Sequence, residues 1–175
     1  MELVGKYGIH FKGLAPGRHT YRFEVDDDFF RTFEWSEIVG GTATVDVVLT
    51  KESTGVLSAE VEIEGTVTLP CDRCLDDFSL PVQYSGRFTV KFGPVEEEFD
   101  GETMWLSPTD NEINMAQYIY ESIVLALPLK RVHPENKCNR QMMEFLNDAS
   151  QEEEPAAGKM ETIEDKLRGA QPPAG

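Results

Sequence analysis

Apolar and polar residues alternate through the middle of the chain. In Thr42-Ala43-Thr44-Val45-Asp46-Val47-Val48-Leu49 every second side chain is apolar, which predicts a strand with one buried face. Lys51 to Gly55 reads as a turn, and Val56 to Gly65 resumes the alternation, with Val61 and Ile63 set against Glu60, Glu62 and Glu64. Two such runs around a glycine-containing loop predict a hairpin. Thr66 to Leu69 continues extended to Pro70, Phe78 to Val82 starts another run, and Gly86 to Phe92 alternates again. Residues of about 40 to 92 are therefore predicted to form an antiparallel meander. Upstream, Tyr21 to Val25 is a short alternating run. Asp26 is placed to cap a short helix whose inner face is Phe29, Phe30 and Phe33, and Gly40-Gly41 ends it.

Past residue 113 the period lengthens. Ala116, Ile119, Tyr120, Ile123, Val124 and Leu127 recur at helical spacing. Asn114 with Gln117 resembles a capping box, and Pro128 supplies the stop. A shorter helix is expected over 141–146, built on Met142, Met143, Phe145 and Leu146. Glu96 to Gly101 reads as a solvated acidic loop. From Asp148 the composition turns to Glu, Ala, Pro, Gly and Gln, with seven acids against three bases. That tail has too little apolar surface to offset its ordering entropy and is expected to be disordered, with a transient helix from Met160 to Leu167. The expected architecture is α+β: an antiparallel sheet packed by one long amphipathic helix and short helices. One domain should span 1–147, followed by a tail over 148–175.

Charge sharpens the picture. The 175 residues carry 32 acidic and 16 basic side chains, a formal charge of −16. Such a body is repelled by phosphate backbones at long range, which disfavours extended tracking along nucleic acid and favours a basic partner. Acidity serves solubility equally well. No apolar run approaches the roughly 20 residues a bilayer requires. The N-terminus lacks a basic region followed by an apolar one, so a cytoplasmic protein with no membrane association is expected.

Cys71-Asp72-Arg73-Cys74 lies between two extended runs. A tight turn there presents two sulfurs to one point, as a zinc knuckle does. His133 and Cys138, just past the helix stop, complete a set of three thiols and one imidazole: Cys71, Cys74, His133 and Cys138. Closing the 64-position gap from Cys74 to Cys138 costs about 4 kcal/mol, whereas structural zinc supplies on the order of 10 kcal/mol. Two other readings stand beside the metal. The cysteines could be small buried apolar groups, or a redox pair. The redox pair is the weaker, because thioredoxin-like thiols sit at a helix N-terminus, whereas Asp72, Asp76 and Asp77 oppose thiolate formation here and Arg73 offsets only part of that.

No phosphate-binding glycine loop, nucleophile elbow or HExxH is present, so neither an enzyme nor a small-molecule substrate is expected. His10 and His19 lie in a polar stretch with no identifiable partner. Lys130, Arg131, Lys137 and Arg140, with Arg73 nearby, form a local basic patch that could touch RNA or a partner. Lys130 and Arg131 also suit a preceding helix C-terminus.

The segment Leu69 to Phe78, with its CxRCL turn, resembles the YceD family. That family pairs this turn with a later LALPL stretch, here Leu125-Ala126-Leu127-Pro128-Leu129. Order and spacing agree over about residues 20 to 145, and His133-Pro134 with Cys138-Asn139 is similar to a Bacteroidetes-like branch. Many members carry further cysteines after this stretch, whereas here only His133 and Cys138 follow. The resemblance implies a role in accumulation of large-subunit ribosomal RNA. It suggests a ribosomal or ribosome-assembly protein as partner, contacted through the acidic faces.

Overall fold

The computed structural model describes residues 3–93, 101–134 and 137–152. The elements are α1 (Leu3–Lys6), β1 (Gly8–His10), β2 (Gly17–Val25), α2 (Asp27–Arg31), β3 (Gly40–Lys51), β4 (Leu57–Pro70), β5 (Asp77–Phe92), β6 (Thr103–Leu106), β7 (Glu112–Asn114), α3 (Ala116–Ala126) and α4 (Arg140–Glu152). Five strands form one sheet in the order β2-β3-β4-β5-β6, and β1 pairs with β7 in a second. The expected α+β class holds. Strands β2 to β5 are antiparallel. Beyond the expected meander, β6 runs parallel to β5, which makes the sheet mixed.

Period-two patterning sets the register. Val47 sits opposite Val61 and Val45 opposite Ile63, so the apolar set faces one side while Glu60, Glu62 and Glu64 face solvent. The inner face is covered by α3, which buries Ala116, Tyr118, Ile119, Ser122 and Ile123. The N-terminal strand pair adds Ile9 and Ile113. Asp26 caps α2 as expected: its carboxylate accepts from the Phe29 N–H at 3.2 Å. Phe29 and Phe30 are buried. An aromatic chain then ties α2 to α3. Tyr7 meets Phe29 edge-on, Phe29 meets Phe33, and Phe33 stacks on Tyr120 at 4.1 Å and 9°.

Several expectations about the helices are corrected. The first helix stops before Pro128 as expected, with extended backbone at Leu127 (φ −70°, ψ 139°), but it has only 11 residues, and the second, expected to be the shorter, has 13. The capping box does not form. Asn114 is still in strand β7, its side chain accepts from the Ala116 N–H, and Gln117 turns along the helix to Glu121. Val124, expected on the inner face, is exposed, while Tyr118 and Ser122 are buried in its stead. The second helix begins at Arg140 and runs to Glu152. The acidic run 96–100, the helix expected over 160–167 and the tail beyond 152 lie outside the described residues. Among the described residues, no helix is long and apolar enough to cross a membrane.

Candidate metal centre

The turn between β4 and β5 is shaped by its own backbone. The Cys71 N–H donates to the Asp76 carbonyl at 3.0 Å, and the Leu75 N–H returns to the Cys71 carbonyl at 2.9 Å. Leu75 closes the turn in the left-handed region, φ 63°. The Arg73 N–H points at Cys71 Sγ at 3.4 Å, so the turn aims N–H groups at the sulfur it presents.

The second half of the site comes from the segment after α3. Pro128 ends the helix, and residues 127–134 run back beside the turn. The Arg131 N–H donates to Asp72 Oδ2 at 2.7 Å, and the Asp72 N–H donates to the Arg131 carbonyl at 2.7 Å. The Arg131 guanidinium pairs with Glu37. At the start of α4, Asn139 does two things: its Oδ1 accepts from the Gln141 N–H, and its Nδ2 donates to Asp76 Oδ2 at 3.1 Å. The Phe78 ring packs on the His133 imidazole at 4.9 Å and limits its rotation.

These straps bring Cys71, Cys74, His133 and Cys138 together, with their four ligand atoms all within 4.8 Å of one another. Cys71 Sγ lies 3.9 Å from Cys138 Sγ. His133 Nδ1 lies 3.3 Å from Cys74 Sγ and 3.9 Å from Cys138 Sγ. A tetrahedron with metal–sulfur bonds of about 2.3 Å and a metal–nitrogen bond of about 2.05 Å has edges of about 3.8 and 3.6 Å. Each of these separations is within a few tenths of an ångström of that. Three thiols and an imidazole suit zinc, and four protein donors leave no open coordination position, the pattern of a structural ion.

The electrostatics point the same way. Burial pushes the Cys71 thiol up, but hydrogen bonds from the Cys74 and Arg73 N–H groups, with His133 beyond them, outweigh it and bring the thiol down to about 6. Two of the three carboxylates expected to oppose this accept hydrogen bonds from elsewhere, Asp72 from the Arg131 N–H and Asp76 from Asn139. Burial and the neighbouring Cys71 and Cys74 sulfurs push the Cys138 thiol up. Three sulfurs this close resist becoming anionic together unless a cation sits among them.

All four ligands expected from the sequence converge. Of the basic patch, Arg73, Lys130, Lys137 and Arg140 are exposed, whereas Arg131 is engaged by Glu37. Lys130 and Arg131 lie past the end of α3, which carries no basic residue in its own last turn. The two histidines expected to lack partners have them: His19 Nε2 is 2.9 Å from the Ala15 carbonyl, and His10 Nε2 is 3.6 Å from Glu112. Sequence reasoning missed the supports Glu37, Asp72, Asp76, Phe78 and Asn139. Only Asn139, a preferred capping residue directly before a helix, carried a readable signal.

Residues 59–169, more than half of the chain, match the family described as Large ribosomal RNA subunit accumulation protein YceD. No curated protein and no solved structure matches.

Proposed function

The chain belongs to the YceD family of large ribosomal RNA subunit accumulation proteins, and from that premise we propose that it is a non-enzymatic ribosome-biogenesis factor acting in the cytoplasm. It supports accumulation of the large-subunit RNA as an acidic adaptor for a basic ribosomal or assembly protein. The family match carries the ribosomal role. The adaptor mechanism is supported by the charge of −16 and by the carboxylate-rich outer face of the sheet at Glu60, Glu62 and Glu64.

A structural zinc held by Cys71, Cys74, His133 and Cys138 belongs to this reading. The close approach of the four donor atoms supports it. The ion would staple the segment after α3, and the start of α4, to the β4–β5 turn. Those pieces are 64 positions apart between Cys74 and Cys138.

A second reading is direct RNA binding, favoured by the exposure of Arg73, Lys130, Lys137 and Arg140. Four phosphate contacts to a single strand would give a log–log salt slope of about −3. A thiol oxidoreductase has less support, since Cys71 and Cys74 are buried and redox thiols need access. Quantifying large-subunit RNA in a deletion strain, with affinity purification of the tagged protein, tests the proposal. Loss of that RNA and recovery of a basic ribosomal or assembly protein are expected. Unchanged RNA levels on deletion would overturn the proposal.

A further inference from the structure

The five-stranded sheet has two edges. One is β6, four residues long. The other is β2, nine residues paired with β3 along their whole length, Gly17 to Val25 against Lys51 to Ala43. Edge groups without a partner are a template for another strand. Two contacts show which groups of β2 point outward. In this register Gly41 falls opposite Asp27, and its N–H donates to Asp27 Oδ1 at 2.7 Å. Odd-numbered residues of β3 therefore turn toward β2 and bond its odd-numbered residues. The Glu24 carbonyl accepts from the Tyr7 hydroxyl at 2.9 Å, as an outward group does. Arg18, Thr20, Arg22 and Glu24 thus direct their N–H and C=O groups away from the sheet. Among the described residues, that bond from Tyr7 is the only one these outward backbone groups make.

The strand has no proline, and no bulge interrupts its pairing with β3, so two usual protections of an edge are missing. Its charges match themselves under a two-fold axis. An axis through Tyr21, the midpoint of the strand, sets β2 antiparallel to β2 of a second copy with all nine residues overlapping. Arg18 then faces the second copy's Glu24, and Thr20 faces the second copy's Arg22, with their outward groups placed to exchange hydrogen bonds. Moving the axis to Thr20 sets Arg18 against Arg22, and moving it to Arg22 sets that residue against itself. The remaining charges along the edge are matched within one chain. Arg22 carries its own counter-ion, Asp46 at 2.7 Å, and Lys6 pairs with Asp26 at the strand's end. Arg18 lies 3.8 Å from Glu60, both exposed, a pair weak enough to exchange.

We propose that β2 is a self-association edge, through which two copies of this chain join β2 to β2 in the antiparallel register centred on Tyr21. The two five-stranded sheets become one. On the inner side, the half-buried Tyr21 and Phe23 meet the second copy's Tyr21 and His19. A basic segment added at this edge would face Arg18 and Arg22, and nucleic acid offers no amide ladder. A second copy supplies both the register and the charges. The inference does not rest on the adaptor reading and is compatible with it. The axis stands perpendicular to the sheet, so Glu60, Glu62 and Glu64 of both copies stay uncovered on one outer face. The formal charge of −16 per chain opposes association at long range, and salt of about 0.15 M screens that beyond about 8 Å.

Sedimentation velocity of the full chain in that salt, from about 1 to about 500 µM, should show monomer passing to dimer as concentration rises. Thr20→Pro removes an outward N–H and leaves the bonds to β3. It should weaken the dimer about tenfold, since the two-fold axis loses the bond twice, with the melting temperature kept. Arg18→Glu and Glu24→Arg place like charges across the axis, and each should weaken the dimer at least about tenfold. An equimolar mixture of those two variants restores every Arg–Glu pair in the heterodimer and should associate about as well as the parent chain. Because a misfolded chain could not be rescued by mixing, this arm separates lost pairing from lost folding. A monomer at every concentration would overturn the proposal. So would a dimer indifferent to Thr20→Pro and both charge variants, or losses in the charge variants that mixing does not restore.

Discussion

Asp72 joins the cysteine turn to the segment that carries His133, so Asp72→Ala asks whether that strap gathers the donors before an ion arrives. The substitution removes the carboxylate that accepts the Arg131 N–H at 2.7 Å. It leaves the bond from the Asp72 N–H to the Arg131 carbonyl, also 2.7 Å, and the Arg131–Glu37 pair. Hydrogen bonds to charged groups are worth about 1.5–3 kcal/mol. Asp72 is exposed, so solvent screening reduces this to about 1–1.5 kcal/mol. Without the strap, the metal-free protein spends part of its time with His133 and Cys138 swung away, and apparent affinity falls with the fraction that remains competent. The expected result is zinc binding about tenfold weaker. Asp72→Asn keeps an acceptor oxygen and should stay within about threefold by the same conversion. Competition against a chromophoric chelator at pH 7 reads both values. Alanine within twofold of the parent protein, or equal losses for alanine and asparagine, would refute the idea that this bond pre-positions the site.

Three further outcomes concern the scaffold. Phe29→Ala empties a fully buried ring position between Tyr7, Phe30 and Phe33 and should cost about 3–5 kcal/mol by urea denaturation; a loss under 1 kcal/mol would show that the aromatic chain is not part of the core. Gly65→Ala would set a Cβ 2.3 Å from the Thr42 carbonyl oxygen and 2.5 Å from Ala43 Cβ, so about 1–3 kcal/mol of destabilisation is expected from forced strand separation, and an unchanged denaturation midpoint would argue against this pairing. Burial, followed by the Tyr84 hydroxyl, raises the Tyr118 pKa above its ordinary 10.0, so the folded protein keeps a proton that the unfolded chain gives up. That stabilisation is complete below pH 10 and declines as pH rises from there toward the folded-state value, by up to about 1.4 kcal/mol per pH unit. Denaturation midpoints between pH 9 and 12 should fall less steeply for Tyr118→Phe, and parallel curves would contradict the assignment.

Much of the sheet was legible because period-two patterning and register are one constraint. Once Val45, Val47, Val61 and Ile63 must face inward, the hairpin follows, and Asp26 before a phenylalanine run marks its own helix. Strands β1, β6 and β7 were not legible. They are only three or four residues long, too short for alternation to register, and their pairing is decided by distant segments. The capping box at Asn114 failed for a related reason: strand pairing with Gly8 holds Asn114 outside the helix, and local capping chemistry yields to it. Of the metal centre, the ligand types and spacings were readable, since Cys, His and a proline stop are individually distinctive. Its supports were not. Asp72 looks like any acid in an acidic chain until the fold brings Arg131 beside it. Leu75 gives no hint of left-handed backbone, which a glycine at that position would have advertised.

Native mass spectrometry of protein purified without chelator, together with a thiol count, tests the centre of this account most directly. One zinc per chain is expected, retained at pH 7 and lost in Cys74→Ser. Metal-free protein with three freely titrating thiols would contradict it and leave the juxtaposed sulfurs as ordinary packing.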